Sequence, residues 1–316
     1  MVDSSRELSY PAGVRALLTR ETSRRRAIEN AIVATFERRG IQEIILPIVD
    51  YVDAYSPPAP AANRQSYRFT DREGELLFIR SDFTPMVARA LAPSLRETEL
   101  PLDVFYRGEV VRPGPARLGR SRESFQVGAE RIGDASGNAD LEMIHAACDP
   151  LIRLLGGDQL SVTLTDYALL PLLFDAGNLS SAQRAEVRAA CTNRRAIRPD
   201  SFGAIDGELM LLIADLTSGR LSLDRLASFD PTAGLAARLS DLVLHISDRG
   251  IAEVIVAPDA FDASAYYTGI SFNIFRRGMN TPLAGGGRYD TLYRQFGSDA
   301  PAVGFTIAVD VVEEAR

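Results

Sequence analysis

The segment from Tyr106 to Gly133 most constrains the fold, because it has the pattern of two long strands joined by one loop. The strands are predicted at Leu100–Val111 and Glu123–Ile132, and the residues between them are mainly Pro, Gly and Arg. Two such strands close together in sequence predict an antiparallel hairpin. The segment also holds six arginines together with Gln126 and Glu130. This mixture of charges indicates a pocket for a zwitterionic small molecule.

A second segment, Ala265 to Asp290, has features that suit the same pocket. It begins with paired tyrosines and contains three consecutive glycines. We predict that the glycines form a turn and that this segment closes the pocket from another part of the chain. Together the two segments predict a small-molecule site.

Composition removes several classes of mechanism. All 35 basic residues are arginine, because the chain contains no lysine. A Schiff-base lysine, a pyridoxal phosphate anchor and the lysine of a Walker-type phosphate loop are therefore excluded. The net charge of -7 does not favour an extended nucleic-acid surface. Cys148 and Cys191 have no histidines at metal-ligand spacing, so we predict buried thiols, no disulfide framework and no metal site.

The distribution of apolar residues predicts a cytoplasmic protein without membrane contact. No apolar run reaches the roughly 18 to 20 residues of a membrane helix. The residues from Val2 to Tyr10 are too polar for the core of a secretory signal. His145 and His245 both fall in predicted helices, and we interpret them as packed or solvated side chains rather than catalytic bases.

The order of the periodic segments predicts an α+β fold with a mostly antiparallel sheet. A long amphipathic helix is predicted at Gly13–Arg39, and strand patterns dominate the first half of the chain. From about Leu169 to Ser247 the pattern is almost entirely helical. We therefore predict a core formed by residues 1–168 and 249–316, with a helical insertion at residues 169–248.

An apolar strand is predicted at Ile44–Val49, and it contains Pro47. A proline cannot donate to the hydrogen-bond ladder, so this strand belongs at an edge, at a bulge or at a contact with another subunit. We expect a homodimer contact through this region. The proline-rich stretch Ser56–Asn63 is predicted to be a loop.

Two short segments place polar groups where they suit a bound amino acid. Asp82 and Thr84 alternate on a turn before a predicted helix, where a carboxylate can hold an ammonium group and a hydroxyl can orient it. Gln126 and Glu130 are four residues apart, so both side chains face the same side of a strand.

A third segment contributes aromatic residues. Tyr266 and Tyr267 offer aromatic walls with hydroxyl groups, and Gly269 allows close approach of the backbone. Each of these residues, taken singly, is more often a surface or structural residue. The prediction of a ligand site therefore depends on their combination.

In this order the segments resemble the catalytic core of histidyl-tRNA synthetase, a class II aminoacyl-tRNA synthetase, from about residue 10 to residue 312. The first motif of that family matches the strand around Pro47, which in the family lies at the dimer interface. The second motif matches Arg107, Glu109, Arg122, Glu123 and Gln126. Its phenylalanine corresponds to Phe125, which lies one position later than in the family pattern. The histidine-specific signatures match Tyr266–Gly269 and Ala284–Asp290, and the third motif matches Pro301–Val312.

The departures from the family pattern concern charged residues of the activation site. Asp262 stands where the family has an arginine, and Ala265 stands where it has an aspartate. The third motif ends in Asp310 and Val311, where the family has an arginine that stacks on ATP. Each lost charge-stabilising donor commonly costs about a hundred- to thousand-fold in rate, so the resemblance implies that adenylation is lost. The chain also ends at the third motif, so we expect no anticodon-binding domain and no tRNA partner.

The positions that hold histidine in the family are retained, and this combination resembles the regulatory subunits of ATP phosphoribosyltransferase. The Asp-x-Thr-Pro run at Asp82–Pro85 also resembles those paralogues, because the synthetases have glutamate there. The resemblance implies a non-catalytic subunit without a cofactor that binds L-histidine and couples it to activation and feedback inhibition of the short catalytic subunit. Arg107 is a candidate for the ligand carboxylate. The implied histidine contacts are Asp82, Thr84, Arg107, Gln126, Glu130, Tyr266 and Tyr267.

Two other functions are compatible with the same residues. The first is a class II synthetase-like enzyme that activates an amino acid and holds ATP through the hairpin arginines. The second is a structural dimer whose pocket is a relic, since a fold does not determine a function. The arginines that could hold ATP are Arg107, Arg112, Arg117, Arg120 and Arg122.

Overall fold

The computed structural model describes residues 10–55, 66–114, 121–193, 195, 197, 202, 205–257 and 266–316. Within these ranges the chain forms strands and helices that are numbered here in chain order. The strands are β1 (Gln42–Glu43), β2 (Val49–Tyr51), β3 (Arg68–Thr70), β4 (Leu76–Ile79), β5 (Leu102–Val111), β6 (Glu123–Ile132), β7 (Leu160–Asp166), β8 (Glu253–Val256), β9 (Ile270–Arg276), β10 (Ala284–Arg288) and β11 (Ala302–Ala308). The helices are α1 (Thr19–Arg38), α2 (Thr84–Leu91), α3 (Gly137–Leu155), α4 (Leu169–Ala176), α5 (Ser181–Thr192), α6 (Gly207–Thr217), α7 (Leu223–Ser228), α8 (Asp230–Ser247) and α9 (Val309–Ala315).

The predicted hairpin lies within an eight-stranded sheet. Strands β5 and β6 are antiparallel and pair from Leu102 and Ile132 to Val111 and Glu123. The strand order is β1-β5-β6-β11-β10-β9-β7-β8. In the described chain the pairing is antiparallel except at the two ends, where β1 is parallel to β5 and β8 is parallel to β7. The predicted α+β fold with a mostly antiparallel sheet is therefore confirmed.

The two faces of this sheet have different surroundings, because side chains alternate along each strand. On one face, which we call the helix face, Phe105 and Phe305 each pack edge-on against Phe36 of α1, with ring centroids 5.8 and 5.7 Å apart. On the opposite face, which we call the site face, Tyr106 is buried against Phe83, next to α2. The site face therefore holds any pocket formed by the hairpin.

The segment between β7 and β8 contains only helices in its described residues, α4 to α8. Side-chain caps mark their starts, since Ser180 accepts from the backbone of Gln183 and Asp206 accepts from the backbone of Glu208 and Leu209. The apolar faces of these helices belong to the same hydrophobic cluster as α1, α3 and the helix face of the sheet. The domain boundaries at 168 and 248 stay a prediction.

The strand predicted at Ile44–Val49 is wrong. Residues 44–48 connect β1 to β2 without strand pairing, and Pro47 is exposed. Pro47 has no amide hydrogen, and the carbonyl groups of Leu46 and Pro47 accept hydrogen bonds from the Arg80 side chain. Strand pairing resumes at β2, which forms a small antiparallel sheet in the order β2-β4-β3.

The predicted three-glycine turn is also wrong, because these glycines lie inside β10. A Cβ on Gly286 would lie 2.2 Å from the carbonyl oxygen of Gly304, and one on Gly287 would lie 2.5 Å from that of Ile270. The glycines are therefore required by the close approach of neighbouring strands rather than by a reversal of the chain.

Other predictions concern features outside the sheet. The loop predicted at Ser56–Asn63 lies outside the described residues. Among the helices that the structure describes, none is both long and apolar enough to span a membrane. The same residues contain no group of three or more His, Cys, Asp or Glu side chains placed to hold a metal ion. Cys148 and Cys191 are buried thiols, as predicted.

Candidate ligand-binding site

Glu130 lies at the base of the candidate site and is 0% exposed. Its carboxyl group accepts hydrogen bonds from the hydroxyl of Thr84 at 2.8 Å and from the hydroxyl of Tyr106 at 3.0 Å. The hydroxyl of Tyr289 is a third donor. Burial raises the pKa of Glu130 to about 7, although the hydrogen bonds from Tyr289, Thr84 and Tyr106 lower it. The base of the site is therefore a carboxyl group that gains and loses its proton near neutral pH.

Small residues leave the space that this arrangement needs. Gly304 pairs with Glu130, and a Cβ at Gly304 would lie 1.4 Å from Glu130 Oε2. A Cβ at Gly128 would lie 2.5 Å from the hydroxyl oxygen of Tyr106. The Glu130 carboxyl and the Tyr106 ring can therefore lie flat over their neighbouring strands only because both positions are glycine.

Asp82 forms a second acidic group, nearer to the surface. It is half-buried, and its Oδ1 accepts a hydrogen bond from the backbone N–H of Thr84 at 3.2 Å. The hydroxyl of Tyr266 lies 3.4 Å from its Oδ2. Burial raises the pKa of Asp82, and the charge of Arg112 opposes that rise. The two carboxyl groups interact, because the charge of Asp82 also raises the pKa of Glu130.

Gln126 is the polar residue of the site face with an unused acceptor. It is 6% exposed, and its Oε1 accepts no hydrogen bond from any residue that the structure describes. Leaving a buried acceptor unsatisfied costs about 1–3 kcal/mol. A ligand with an N–H group would satisfy this oxygen.

Aromatic residues form one wall of the site. The ring centroids of Tyr266 and Tyr267 are 5.4 Å apart, and Tyr266 packs edge-on against Tyr289 at 5.5 Å. The two residues that follow these tyrosines form backbone hydrogen bonds with two different neighbouring segments. Thr268 N–H donates to the carbonyl of Arg288, and the carbonyl of Gly269 accepts from Tyr167 N–H. The structure thus brings Tyr266 to Asp82 and places Tyr267 beside Tyr266, and the predicted role of both tyrosines in ligand binding stays a prediction.

Arg107 does not belong to this site, and its predicted role is wrong. Its side chain donates to Glu43 at 2.8 Å and to Glu29 of α1 at 3.1 Å. Because Tyr106 points to the site face, the next residue along β5 points to the helix face. The alternation of strand residues, counted from Tyr106, could have excluded Arg107 from the sequence alone.

Arg112 is the arginine that faces the site instead. Its Nε donates to the carbonyl of Ser81 at 2.9 Å, and its charge acts on Asp82. Its backbone N–H donates to the carbonyl of Arg122, so the two arginines are neighbours at the end of the hairpin where the loop begins. Arg112 is exposed and can contact an incoming anion.

The sequence prediction omitted two residues that the structure places at the base of the site, Tyr106 and Tyr289. Both lie in segments that were recognised, and in both the hydroxyl donates to Glu130. For Tyr106 the sequence signal was Gly128, the glycine that faces it on the neighbouring strand. Four other positions with predicted roles lie outside the described residues: Arg117, Arg120, Asp262 and Ala265.

The sequence model of the family described as histidyl-tRNA synthetase matches residues 13–312. An ATP phosphoribosyltransferase regulatory subunit from Moorella thermoacetica is 32% identical, and the match covers 99% of this chain and 83% of that protein. The protein of the same name from Geobacter sulfurreducens is also 32% identical, over 96% of this chain and 72% of its own length. The chain belongs to the family of ATP phosphoribosyltransferase regulatory subunits.

Solved structures have the same fold. A structure from Bacillus halodurans, described as an ATP phosphoribosyltransferase regulatory subunit/histidyl-tRNA synthetase, has a TM-score of 0.82 at 24% identity and covers 98% of this chain and 83% of its own. Histidyl-tRNA synthetase from Nostoc sp. PCC 7120 has a TM-score of 0.75 at 18% identity, over 96% of this chain and 74% of its own. The class II synthetase-like fold of this regulatory-subunit family member is confirmed.

In this member of the regulatory-subunit family, the end of the third motif has a structural role. Asp310 accepts hydrogen bonds from the backbone N–H of Phe125 at 3.0 Å and from the hydroxyl of Ser124 at 3.1 Å. These contacts attach the start of α9 to β6. Val311 packs against the hydrophobic cluster of the helix face. Neither residue supplies a positive charge to the site.

The pKa of Glu130 leads to a prediction about stability. A carboxyl group whose pKa rises from 4.5 to about 7 on folding binds its proton more tightly in the folded protein. This group therefore makes folding less favourable as the pH rises from about 4.5 to 7, and its effect is constant above that range. We expect Glu130→Gln to be stabilised relative to the wild type by up to about 3 kcal/mol more at pH 8 than at pH 5.

Urea unfolding at pH 5 and at pH 8 measures this difference in the free energy of unfolding. Glu142→Gln is the matched control, because a hydrogen bond from Arg131 lowers the pKa of Glu142, so this carboxyl stays ionised between pH 5 and pH 8 and its removal should shift the stability by nearly the same amount at both pH values. A Glu130→Gln variant whose stability changes with pH in parallel with the wild type would contradict the assignment.

Proposed function

We propose that this protein is a non-catalytic regulatory subunit that binds free L-histidine at the site around Glu130 and Asp82. It forms a complex with the short catalytic subunit of ATP phosphoribosyltransferase. It activates that subunit when the histidine site is empty and inhibits it when histidine is bound. One observation carries the proposal. The acidic and aromatic groups are brought together on the site face, whereas Val311 takes the place of the ATP-stacking arginine that the synthetase resemblance requires.

The chemistry of each group fits one part of an amino acid. Asp82 is half-buried and can pair with the ammonium group, whereas Glu130 is fully buried beneath three hydroxyl groups. Gln126 Oε1 can accept a further N–H. The guanidinium of Arg112 can hold the carboxylate, since arginine matches that group with two parallel hydrogen bonds.

The imidazole ring then lies against the tyrosine wall. Tyr266 and Tyr267 offer aromatic surface, and Tyr266 connects this wall to Asp82 through its hydroxyl. Binding of histidine changes the activity of a partner only if histidine has different affinities for two states of the complex. The proposal therefore includes two such states. The expected cytoplasmic location and the expected absence of a tRNA partner stay predictions.

The proposal distinguishes the arginine of the site from the arginine of the opposite face. We expect L-histidine to bind the wild type, and Arg112→Met to weaken binding by about 10- to 100-fold, because a hydrogen bond to a charged group is worth about 1.5–3 kcal/mol. Isothermal titration calorimetry gives both dissociation constants. Arg107→Met is the matched control and retains wild-type affinity, since Arg107 contacts Glu29 and Glu43 on the helix face.

Lack of binding to the wild type at millimolar histidine would count against the proposed function itself. Equal losses in the two variants would count against the assignment of Arg112. An amino-acid-dependent exchange of pyrophosphate into ATP would instead favour the synthetase-like enzyme, in which Arg112 and Arg122 hold ATP.

We also propose that the protein forms a homodimer through the region around Pro47. Ile45 is 92% exposed and Ile48 is 62% exposed, and the neighbouring small sheet exposes Val49, Tyr51 and Phe69 on one of its faces. Isolated apolar residues are common on protein surfaces, but a contiguous apolar patch is typical of an interaction site. The patch lies where the sequence predicted a subunit contact.

A charge at the centre of this patch is expected to separate the subunits. Ile45→Glu buries an unpaired carboxylate in the interface, and it does not disturb the fold of one subunit because the side chain is exposed. Sedimentation velocity measures the mass of the particle. Leu244→Glu, which alters an exposed apolar residue of α8, is the control and remains dimeric. A wild type that is monomeric, or an Ile45→Glu variant as dimeric as the control, contradicts the proposed interface.

A further inference from the structure

Arg80 is a buried cation whose side chain donates hydrogen bonds to backbone carbonyl oxygens. It follows β4 and is 4% exposed. Its Nε donates to the carbonyl of Glu109 at 3.0 Å, and its Nη1 donates to the carbonyls of Leu46 at 3.1 Å and Pro47 at 3.2 Å. Burial lowers the pKa of this guanidinium. A buried charge is tolerated only when its donors are satisfied, so these contacts fix the side chain in one position.

On one side Arg80 holds the segment that forms the apolar patch. Leu46 and Pro47, whose carbonyls it binds, lie between the exposed side chains of Ile45 and Ile48. The backbone N–H of Arg80 also donates to the carbonyl of Ile48 at 2.8 Å. The position of the patch therefore depends directly on the position of Arg80.

On the other side Arg80 contacts the ligand site through two aromatic rings. Its guanidinium carbon lies 4.0 Å from the ring centroid of Phe83. The Phe83 ring stacks on Tyr106, with centroids 4.3 Å apart and planes 15° from parallel. The hydroxyl of Tyr106 donates to Glu130. Phe83 also lies between Asp82 and Thr84 in sequence, so a displacement of its backbone moves both of these proposed ligand contacts.

We propose that Arg80 is a positioning residue that couples ligand binding to self-association. It connects the Ile45–Ile48 segment to the Phe83–Tyr106 stack through buried contacts, so formation of the dimer and binding of the ligand favour the same arrangement of the site. This inference rests on the proposed function, because it concerns the same histidine site and the same dimer contact. By thermodynamic reciprocity, a dimer that binds histidine more tightly is itself stabilised by histidine.

A double-mutant cycle on histidine affinity tests the coupling. The four proteins are the wild type, Ile45→Glu, Arg80→Met and the variant with both changes, and calorimetry gives the dissociation constant for L-histidine in each. We expect Ile45→Glu to weaken binding at least about fivefold, the lower end of typical coupling between sites. In the Arg80→Met background the same change should have no effect, because the connection is already broken.

Two further variants keep the result interpretable. Arg131→Met is the matched control, since the Arg131 side chain donates hydrogen bonds to Asp103 and Glu142 on the helix face. In the Arg131→Met background, Ile45→Glu should still weaken histidine binding about fivefold. If Arg80→Met does not fold, Phe83→Leu replaces it, because it keeps an apolar side chain but removes the ring that connects the Arg80 guanidinium to Tyr106.

The outcomes separate the coupling from the function on which it rests. A wild type that does not bind histidine overturns both. A wild type that binds, together with an Ile45→Glu monomer of unchanged affinity, overturns the coupling alone. An equal loss from Ile45→Glu with and without Arg80 shows that the coupling does not pass through this residue and also overturns the proposal. An Ile45→Glu variant that remains dimeric overturns both the proposed interface and the proposed coupling.

Discussion

The alternation of side chains along β5 and β6 is the constraint on which the rest of the structure depends. Because successive residues point to opposite faces, one face of the hairpin packs Phe105 against α1 while the other carries Tyr106 and Glu130. The helix face buries apolar surface and stabilises the sheet. The site face buries a carboxyl group that accepts hydrogen bonds from the hydroxyls of Thr84, Tyr106 and Tyr289. A one-residue shift in register would exchange these roles and bury Arg107 in place of Tyr106.

Much of this arrangement could be predicted from the sequence, because strand periodicity is local. The hairpin and the common face of Gln126 and Glu130 follow from the spacing of residues in one segment, and the antiparallel sheet follows from the order of such segments along the chain. The errors arose where a residue depends on a distant partner. The carbonyls near Pro47 are bonded by Arg80, and the glycines of β10 are required by Gly304 and Ile270 on adjacent strands. Such contacts between distant segments are not visible in local patterns.

The assignment of Arg107 was a different kind of error. A motif match placed it in the ligand site, although the period of the strand placed it on the other face. Arg112 offers the same guanidinium group, and the alternation of residues along β5 places it on the site face. There its charge acts on Asp82. A motif match and the alternation of strand residues can assign one side chain to opposite faces of a sheet. In that case the alternation is the better guide, because a residue within a regular strand cannot turn to the other face on its own. The same reasoning places Tyr106, which alternates with Arg107 along β5, on the site face.

We propose above that this protein keeps a binding site for an amino acid but has lost the charges for activation chemistry. Reconstitution with the short catalytic subunit tests it most directly, by measuring the rate of phosphoribosyl transfer to ATP with and without this protein and with and without L-histidine. The account predicts a faster rate when this protein is added and a return towards the basal rate when histidine is then supplied. A catalytic subunit that works equally well alone, and that responds to histidine in the same way without this protein, would contradict the account.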